Sequence, residues 1–138
     1  MNAREYLEQI EYLDELINNK LVEVYQLRCL ATSCTAPTDR EASSSSGVSD
    51  RVGKIVSKIV DLQAETDKAI DRFIDLKQEC IKVIESVKNP LWYTILHKHY
   101  IQYKPFVLIA EEEGYTSPHI SEIHRKALEE VQRILDER

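Results

Sequence analysis

The sequence predicts an all-α protein, in which a long antiparallel helical hairpin of coiled-coil type is followed by a C-terminal helix-turn-helix domain. Only three Gly and four Pro occur among the 138 residues, and this balance favours helices over turn-rich sheets. Apolar residues recur at steps of three and four along two long stretches, which is the period of an α-helix. We therefore expect the hairpin over residues 1–88 and the helix-turn-helix domain over residues 89–138.

The first helix is predicted from Arg4 to about Ala31. Residues 32–50 lose the helical period and are rich in Ser and Thr, so we predict a disordered, solvated loop there. The apolar stripe of the first helix has the spacing of an amphipathic helix and consists of Tyr6, Ile10, Leu13, Ile17, Val24 and Leu27.

The second helix, predicted from about Asp50 to Lys88, carries the most regular pattern in the chain. At 1.5 Å per residue it would be about 60 Å long, which is too long to be buried by one small core. Folding the hairpin covers one apolar stripe and pairing two hairpins covers a second, so we predict a homodimer. The first stripe resembles a coiled-coil seam and consists of Val52, Ile55, Ile59, Leu62, Thr66, Ala69, Phe73, Leu76, Cys80, Val83 and Val87. The second consists of Val56, Ile70, Ile74, Ile81 and Ile84.

Asn89 and Pro90 are predicted to end that helix and to start the next one. Pro disfavours helical geometry in the residue before it, whereas Asn as N-cap and Pro as first helical residue both favour a new helix. The next apolar face then consists of Leu91, Trp92, Ile95, Leu96 and Tyr100.

A helix-turn-helix pattern begins at Phe106, which we expect to be an aromatic core residue. Ala110 is small enough to let two helices cross closely, and Gly114 can take the left-handed conformation that ends a helix. Ser117 and Pro118 predict the N-cap and the first turn of the second helix. The residues expected to build the motif are Phe106, Ile109, Ala110, Gly114, Ile120 and Ile123.

The last helix is predicted to have an apolar face and an opposite polar face. Ile120, Ile123, Ala127, Val131 and Ile134 form the apolar face. His124 falls within the apolar arc, so we expect it to pack rather than to contact a ligand. The polar face carries Ser121, Glu122, Arg125 and Lys126, with His119 at its border.

The spacing of Ala, Gly, Ile and Ile in this motif resembles the helix-turn-helix of repressors and of sigma factor region 4. The whole chain resembles a family of small proteins from phages and prophages of Gram-positive bacteria, the ArpU and RinA type of late-gene transcription regulators. Phe106 stands where relatives often have tryptophan, which keeps the aromatic role. The matching segments are residues 3–7, 58–62, 74–77, 100–101, 109–110, 114–115 and 123–128.

The resemblance implies transcriptional control of late phage genes, with double-stranded promoter DNA and RNA polymerase as the expected partners. On the polar face of the last helix, Arg125 is expected to contact a base edge or a phosphate, and Lys126 a phosphate. His119 and Ser121 lie near the helix start, where they can also reach DNA. Glu122 would repel phosphates, although its carboxylate can accept a hydrogen bond from a cytosine amino group.

Spacing and composition weigh against enzymes, metal proteins and membrane proteins. His97 and His99 are two residues apart, and His119 and His124 are five apart, so neither pair has the spacing of a zinc-binding helix. No phosphate-binding glycine loop and no nucleophile motif occurs. We therefore expect no catalytic residue, no metal ion and no cofactor.

The cysteines indicate a reducing compartment. Cys29, Cys34 and Cys80 form no C-x-x-C pair and leave an odd thiol, and we expect Cys80 to be a buried free thiol. No apolar run approaches membrane-spanning length, and the first residues do not resemble a signal peptide. We expect a protein of the bacterial host cytoplasm that does not bind membranes.

The net charge of −6 weighs against nucleic-acid binding, because much of that affinity comes from Lys and Arg at phosphates. A second hypothesis is therefore a coiled-coil interaction module that binds RNA polymerase or another regulator without reading DNA itself. Salt separates the two hypotheses, since DNA binding weakens steeply with salt and an apolar interface does not.

Overall fold

The structure of the protein, a computed structural model, describes the backbone of residues 1–35 and 45–138 and the side chains of residues 1–33 and 49–138. The described residues form helices and no strand, which confirms the predicted all-α class. In chain order the elements are α1 (Ala3–Thr35), α2 (Ser45–Glu85), α3 (Pro90–Leu96), a π-helical segment (His97–Ile101), α4 (Phe106–Glu113) and α5 (Ser117–Asp136). None of the described helices has a stretch apolar and long enough to cross a membrane.

The first two helices form the predicted hairpin-like pair, and their adjoining ends are longer than the sequence predicts. The predicted loop at 32–50 is wrong at both ends, because α1 continues to Thr35 and α2 begins at Ser45. Ser and Thr have lower helix propensity than Ala but do not forbid a helix, and the Thr32 hydroxyl donates to the Arg28 carbonyl oxygen at 3.0 Å within it. The remainder of the predicted loop, residues 36–44, lies outside the described residues, as does the side chain of Cys34.

The predicted stripes explain how α1 and α2 bury their apolar residues. Every member of the predicted seam of α2 is buried or half-buried, as is every member of the stripe of α1. The second stripe of α2 is divided: Val56 and Ile74 are exposed, while Ile84 is fully buried. Cys80 is a buried free thiol, as predicted, and Cys29 is exposed. Burial raises the pKa of the Cys80 thiol to about 11, so the thiol stays protonated at neutral pH.

The described chain divides into two compact units, and the division differs from the predicted boundary at residue 88. The middle unit is Glu15–Asp71, and the terminal unit combines Met1–Asp14 with Arg72–Arg138. Packing explains the difference, because the start of α1 and the end of α2 share one core with α3, the π-helical segment and α5. Residues of that core are Ala3, Leu7, Ile10, Cys80, Val83, Ile84, Val87, Leu96, Tyr100, Ala127 and Val131.

The middle unit contains the part of the hairpin between these limits. Its buried residues include Ile17, Val24, Ile55 and Thr66. The buried Thr66 hydroxyl donates to the Leu62 carbonyl oxygen at 2.7 Å, so no polar atom of that side chain is left without a partner. Lys20 of α1 and Glu65 of α2 form an ion pair at 3.2 Å.

In the terminal unit, a second core fixes the last three helices. α3 begins as predicted: the Asn89 side chain accepts hydrogen bonds from the backbone N–H groups of Leu91 at 3.0 Å and Trp92 at 3.3 Å, and Pro90 is the first helical residue. The core residues come from α3, α4 and α5 and are Ile95, Ile109, Ala110, Ile120 and Ile123, with Leu91, Trp92 and Phe106 packed around them.

Candidate nucleic-acid interface

The turn between α4 and α5 has the geometry predicted from its glycine. Gly114 ends α4 with φ 78° and ψ 29°, in the left-handed region that side-chain-bearing residues rarely adopt. The Tyr115 backbone N–H donates to the Ala110 carbonyl oxygen at 2.9 Å, so an otherwise unpaired carbonyl at the helix end has a partner. Ala110 is buried, as its predicted role at a close helix crossing requires.

The N-cap of α5 is Thr116 and not the predicted Ser117. Thr116 is extended, with φ −85° and ψ 154°, and its hydroxyl oxygen accepts from the His119 backbone N–H at 3.3 Å. Ser and Thr are both good N-caps, so the sequence alone does not choose between two neighbours. Ser117 and Pro118 become the first two residues of the helix, where the missing N–H of Pro costs nothing.

The inner side of the motif is apolar. Ile109, Ala110, Ile120 and Ile123 are buried in one core, and Phe106 packs against it half-buried. Together with Gly114 in the turn, these are the six residues predicted to build the motif. α5 therefore has a fully buried face, which fixes the direction of its opposite face.

The outer side of α5 is polar and open. His119, Ser121, Glu122, Arg125 and Lys126 are all exposed, so the structure brings the five predicted contact residues to one accessible side of the terminal unit. A guanidinium, an ammonium, a hydroxyl and an imidazole there can all donate hydrogen bonds to phosphates or base edges.

Both cations on this outer side have a carboxylate neighbour one turn away. Arg125 Nη1 lies 2.7 Å from Glu129 Oε1, and Lys126 Nζ lies 4.0 Å from Glu122 Oε1. Exposed pairs at this spacing contribute only about 0.3–0.5 kcal/mol, so a phosphate can displace the carboxylate at little cost. The pairs still reduce the positive charge that an approaching duplex meets.

Tyr115 is a neighbour of this outer side that the sequence analysis missed. Its ring lies 5.1 Å from the His119 ring, centroid to centroid, and it is exposed. The sequence does contain a signal for this contact. Tyr115 directly follows the turn glycine, and His119 is at position i+4 from it, near the start of α5. The contact limits where the His119 imidazole can lie.

His124 packs inside the terminal unit, as predicted. It is 3% exposed, and its Nε2 shares a hydrogen bond of 2.7 Å with the Tyr100 hydroxyl. The Phe106 ring lies 4.8 Å and the His99 ring 5.3 Å from its own, centroid to centroid. Burial, and then the positive charges of His99 and Arg4, lower the pKa of His124 to about 4, so the ring is neutral at physiological pH.

Two lysines before α4 are joined to its acidic end. Lys98 Nζ lies 2.7 Å from Glu113 Oε1 and 3.3 Å from Glu112 Oε1, and Lys104 Nζ lies 2.9 Å from Glu112 Oε2. The hydrogen bond to Lys104 is the largest cause of the lowered pKa of Glu112. Both lysines precede α4, so no spacing within the helix indicates that they pair with its acids. Lys104 is therefore already engaged by a carboxylate.

The described residues offer no obvious metal centre. Within 1–33 and 49–138, no three His, Cys, Asp or Glu side chains come together in a way that could hold a metal ion.

Comparisons with known proteins add no relative to this description. The family resemblance stated from the sequence consequently stays a prediction, supported by the residues that carry it. The chain matches no protein-family model, no curated protein and no solved structure.

Proposed function

We propose that the protein is a phage-type transcription regulator that binds promoter or operator DNA through α4 and α5 and activates late genes. One observation carries the proposal: α5 buries one face in the core shared with α4 and, after a left-handed glycine turn, exposes a polar face with Arg125 and Lys126. A helix that has one buried face and one open polar face after such a turn is suited to enter the major groove. The proposal includes no catalytic step and no cofactor.

Each outer residue has a role that its chemistry fits. Arg125 contacts a guanine edge or a phosphate, and Lys126 contacts a phosphate. His119 and Ser121 donate near the start of α5. Glu122 accepts from a cytosine amino group, which discriminates against bases that lack a donor at that position.

A homodimer is part of the same proposal. The net charge of −6 opposes binding to phosphates, so a single α5 would bind DNA weakly and two copies, each at one half-site, would bind more tightly. Support comes from the middle unit, where both helices expose large apolar side chains and both border a shared groove. Leu21 and Tyr25 of α1 and Gln63, Thr66 and Ile70 of α2 line that groove. Val56 and Val60 of α2 are exposed as well. A second hairpin would cover these groups and place two α5 helices for paired half-sites.

The test is binding of a labelled duplex from the flanking region of the gene, followed by fluorescence anisotropy over a salt series. A double variant, Arg125→Ala with Lys126→Ala, removes both cations of the outer side. We expect about a tenfold or greater loss of affinity at low salt and a shallower salt dependence, because two phosphate or base contacts disappear.

A matched control removes the same two charge types from α2. Arg51 and Lys54 are exposed residues of the middle unit, and Arg51→Ala with Lys54→Ala should leave affinity nearly unchanged. Equal losses in the two double variants would mean that net charge, and not α5, determines binding. If the wild-type protein binds no duplex at low salt, direct DNA binding is refuted.

A second candidate function has its own observation. α4 and the following turn expose Val107, Leu108 and Tyr115, of which Val107 is 68% exposed. Exposed apolar groups next to acidic residues suit a protein partner such as RNA polymerase or another regulator better than a phosphate backbone. Binding to polymerase that persists at high salt and is lost in Val107→Ser would favour this function.

A further inference from the structure

The start of α1 and the middle of α5 border an open groove within the terminal unit. Asn2, Ala3 and Arg4 lie on one side of the groove, which has a volume of about 450 Å³, and α5 forms the other side with Arg125, Leu128, Glu129 and Gln132. The two helices are fixed to each other here, because the Ala3 backbone N–H donates to Gln132 Oε1 at 2.8 Å. Two arginines therefore line one groove, directly beside the outer side of α5.

Arg4 differs from Arg125 in its surroundings. Arg125 is paired with Glu129 at 2.7 Å, whereas Arg4 is exposed and forms no ion pair with any described residue. The nearest carboxylate in sequence, Glu5, accepts a hydrogen bond from the Asn2 backbone N–H at 3.2 Å. Arg4 is therefore a cation without an ion-pair partner among the described residues.

The groove is a local positive site on an acidic chain. Its lining residues carry two positive charges, from Arg4 and Arg125, and one negative charge, from Glu129. Glu8, one turn further along α1, is exposed and is not among the residues that line the groove. A phosphate entering the groove would meet one cation without a competing partner and a second that can exchange Glu129 for the phosphate.

We propose that Arg4 binds a backbone phosphate of the DNA that α5 contacts, so that the start of α1 forms part of the nucleic-acid interface. This inference rests on the proposed function. Phosphate contacts from an element outside the reading helix fix the orientation of that helix on the duplex. Arg4 therefore contributes to affinity and orientation but not to the choice of bases.

The test compares Arg4→Gln with Arg4→Lys in the full chain. Each variant is titrated into the labelled duplex from the gene's flanking region and into a scrambled duplex of the same length, over the same salt series. In Arg4→Gln we expect about a tenfold loss of affinity for both duplexes and a salt slope that is smaller by about one. Arg4→Lys retains the charge and should keep most of the affinity and the slope.

Arg51→Gln is the matched control, since it removes one exposed arginine from the middle unit. Thermal unfolding of the variants checks the fold, which should be unchanged because the Arg4 side chain is exposed. If Arg4→Gln keeps wild-type affinity and slope, or loses no more than Arg51→Gln, the role of Arg4 is refuted. The proposed function stands in that case, provided that the variant without Arg125 and Lys126 has lost affinity. A wild-type protein that binds neither duplex overturns both proposals.

Discussion

His124 places a titratable ring inside an apolar core, where its charged form is disfavoured. The ring is held by the Tyr100 hydroxyl and surrounded by the rings of His99 and Phe106. Desolvation of a charge is costly in such surroundings, whereas a neutral imidazole with a hydrogen-bond partner is accommodated. The buried side of α5 therefore includes a residue, His124, whose charge depends on pH.

We predict that acid destabilises the protein through this residue. The pKa of His124 is about 4 in the folded protein and about 6.5 in the unfolded chain, so its contribution to stability is complete above pH 6.5. As pH falls from 6.5 towards 4, the unfolded chain takes up a proton that the folded state does not, and the free energy of unfolding drops by up to about 3 kcal/mol. Urea unfolding at pH 7 and pH 4.5 measures the drop.

His124→Gln is the control, because it keeps a polar side chain for Tyr100 and cannot titrate. Its free energy of unfolding should fall less between the two pH values than that of the wild type. The same fall in both proteins would assign the acid sensitivity to other groups.

At the scale of the elements, the two glycines that the structure describes in full differ in their backbone conformation. Gly114 ends α4 with φ 78°, whereas Gly53 lies within α2. A Cβ added at either position would meet no atom within 4 Å. Any effect of Ala at these positions therefore comes from the backbone and not from a clash.

We predict opposite signs for the two substitutions. Gly114→Ala should lower the free energy of unfolding by about 1 kcal/mol, since Ala is strained at positive φ. Gly53→Ala should raise it by about 0.5–1 kcal/mol, because Ala is the better helix former. Denaturant titration of the two variants compares them, and a Gly114→Ala protein as stable as the wild type would contradict the role of the left-handed turn.

The sequence predicted those elements whose signal lies within the element itself or at its ends. The period of α5 predicted its buried and exposed faces, and Asn89 and Gly114 marked helix ends through their own chemistry. Choosing between Thr116 and Ser117 as N-cap needs the backbone path, because both side chains can cap. Contacts between distant elements were beyond local reasoning: the lysines that hold Glu112, and the position of Arg4 beside Arg125, depend on packing of the terminal unit.

For the whole molecule, the surplus apolar surface of the middle unit leads to a prediction about assembly. Tyr25 and Val60 are 68% and 58% exposed, and a second hairpin would remove them from water. We expect light scattering to give the mass of a dimer for the wild type and of a monomer for Tyr25→Glu with Val60→Glu. Circular dichroism should show unchanged helix content, since both substitutions are at exposed positions.

Val107→Glu is the comparison for that experiment, because it places a charge at an exposed valine of the terminal unit. It should remain a dimer if the hairpin is the interface. A monomeric wild-type protein would refute the proposed pairing of half-sites. A monomeric Val107→Glu protein would indicate that the dimer interface includes α4 rather than the hairpin.

The core that joins Leu7 and Ile10 to Ala127 and Val131 also constrains the order of events during synthesis. A ribosome releases the start of α1 long before α5 exists, so the part of the α1 surface that α5 covers stays open, or is bound by a chaperone, until the last helix emerges. Closing contacts between such distant segments is slow compared with forming the hairpin. A premature stop within α5 would therefore also remove some of the partners against which the first turns of α1 pack.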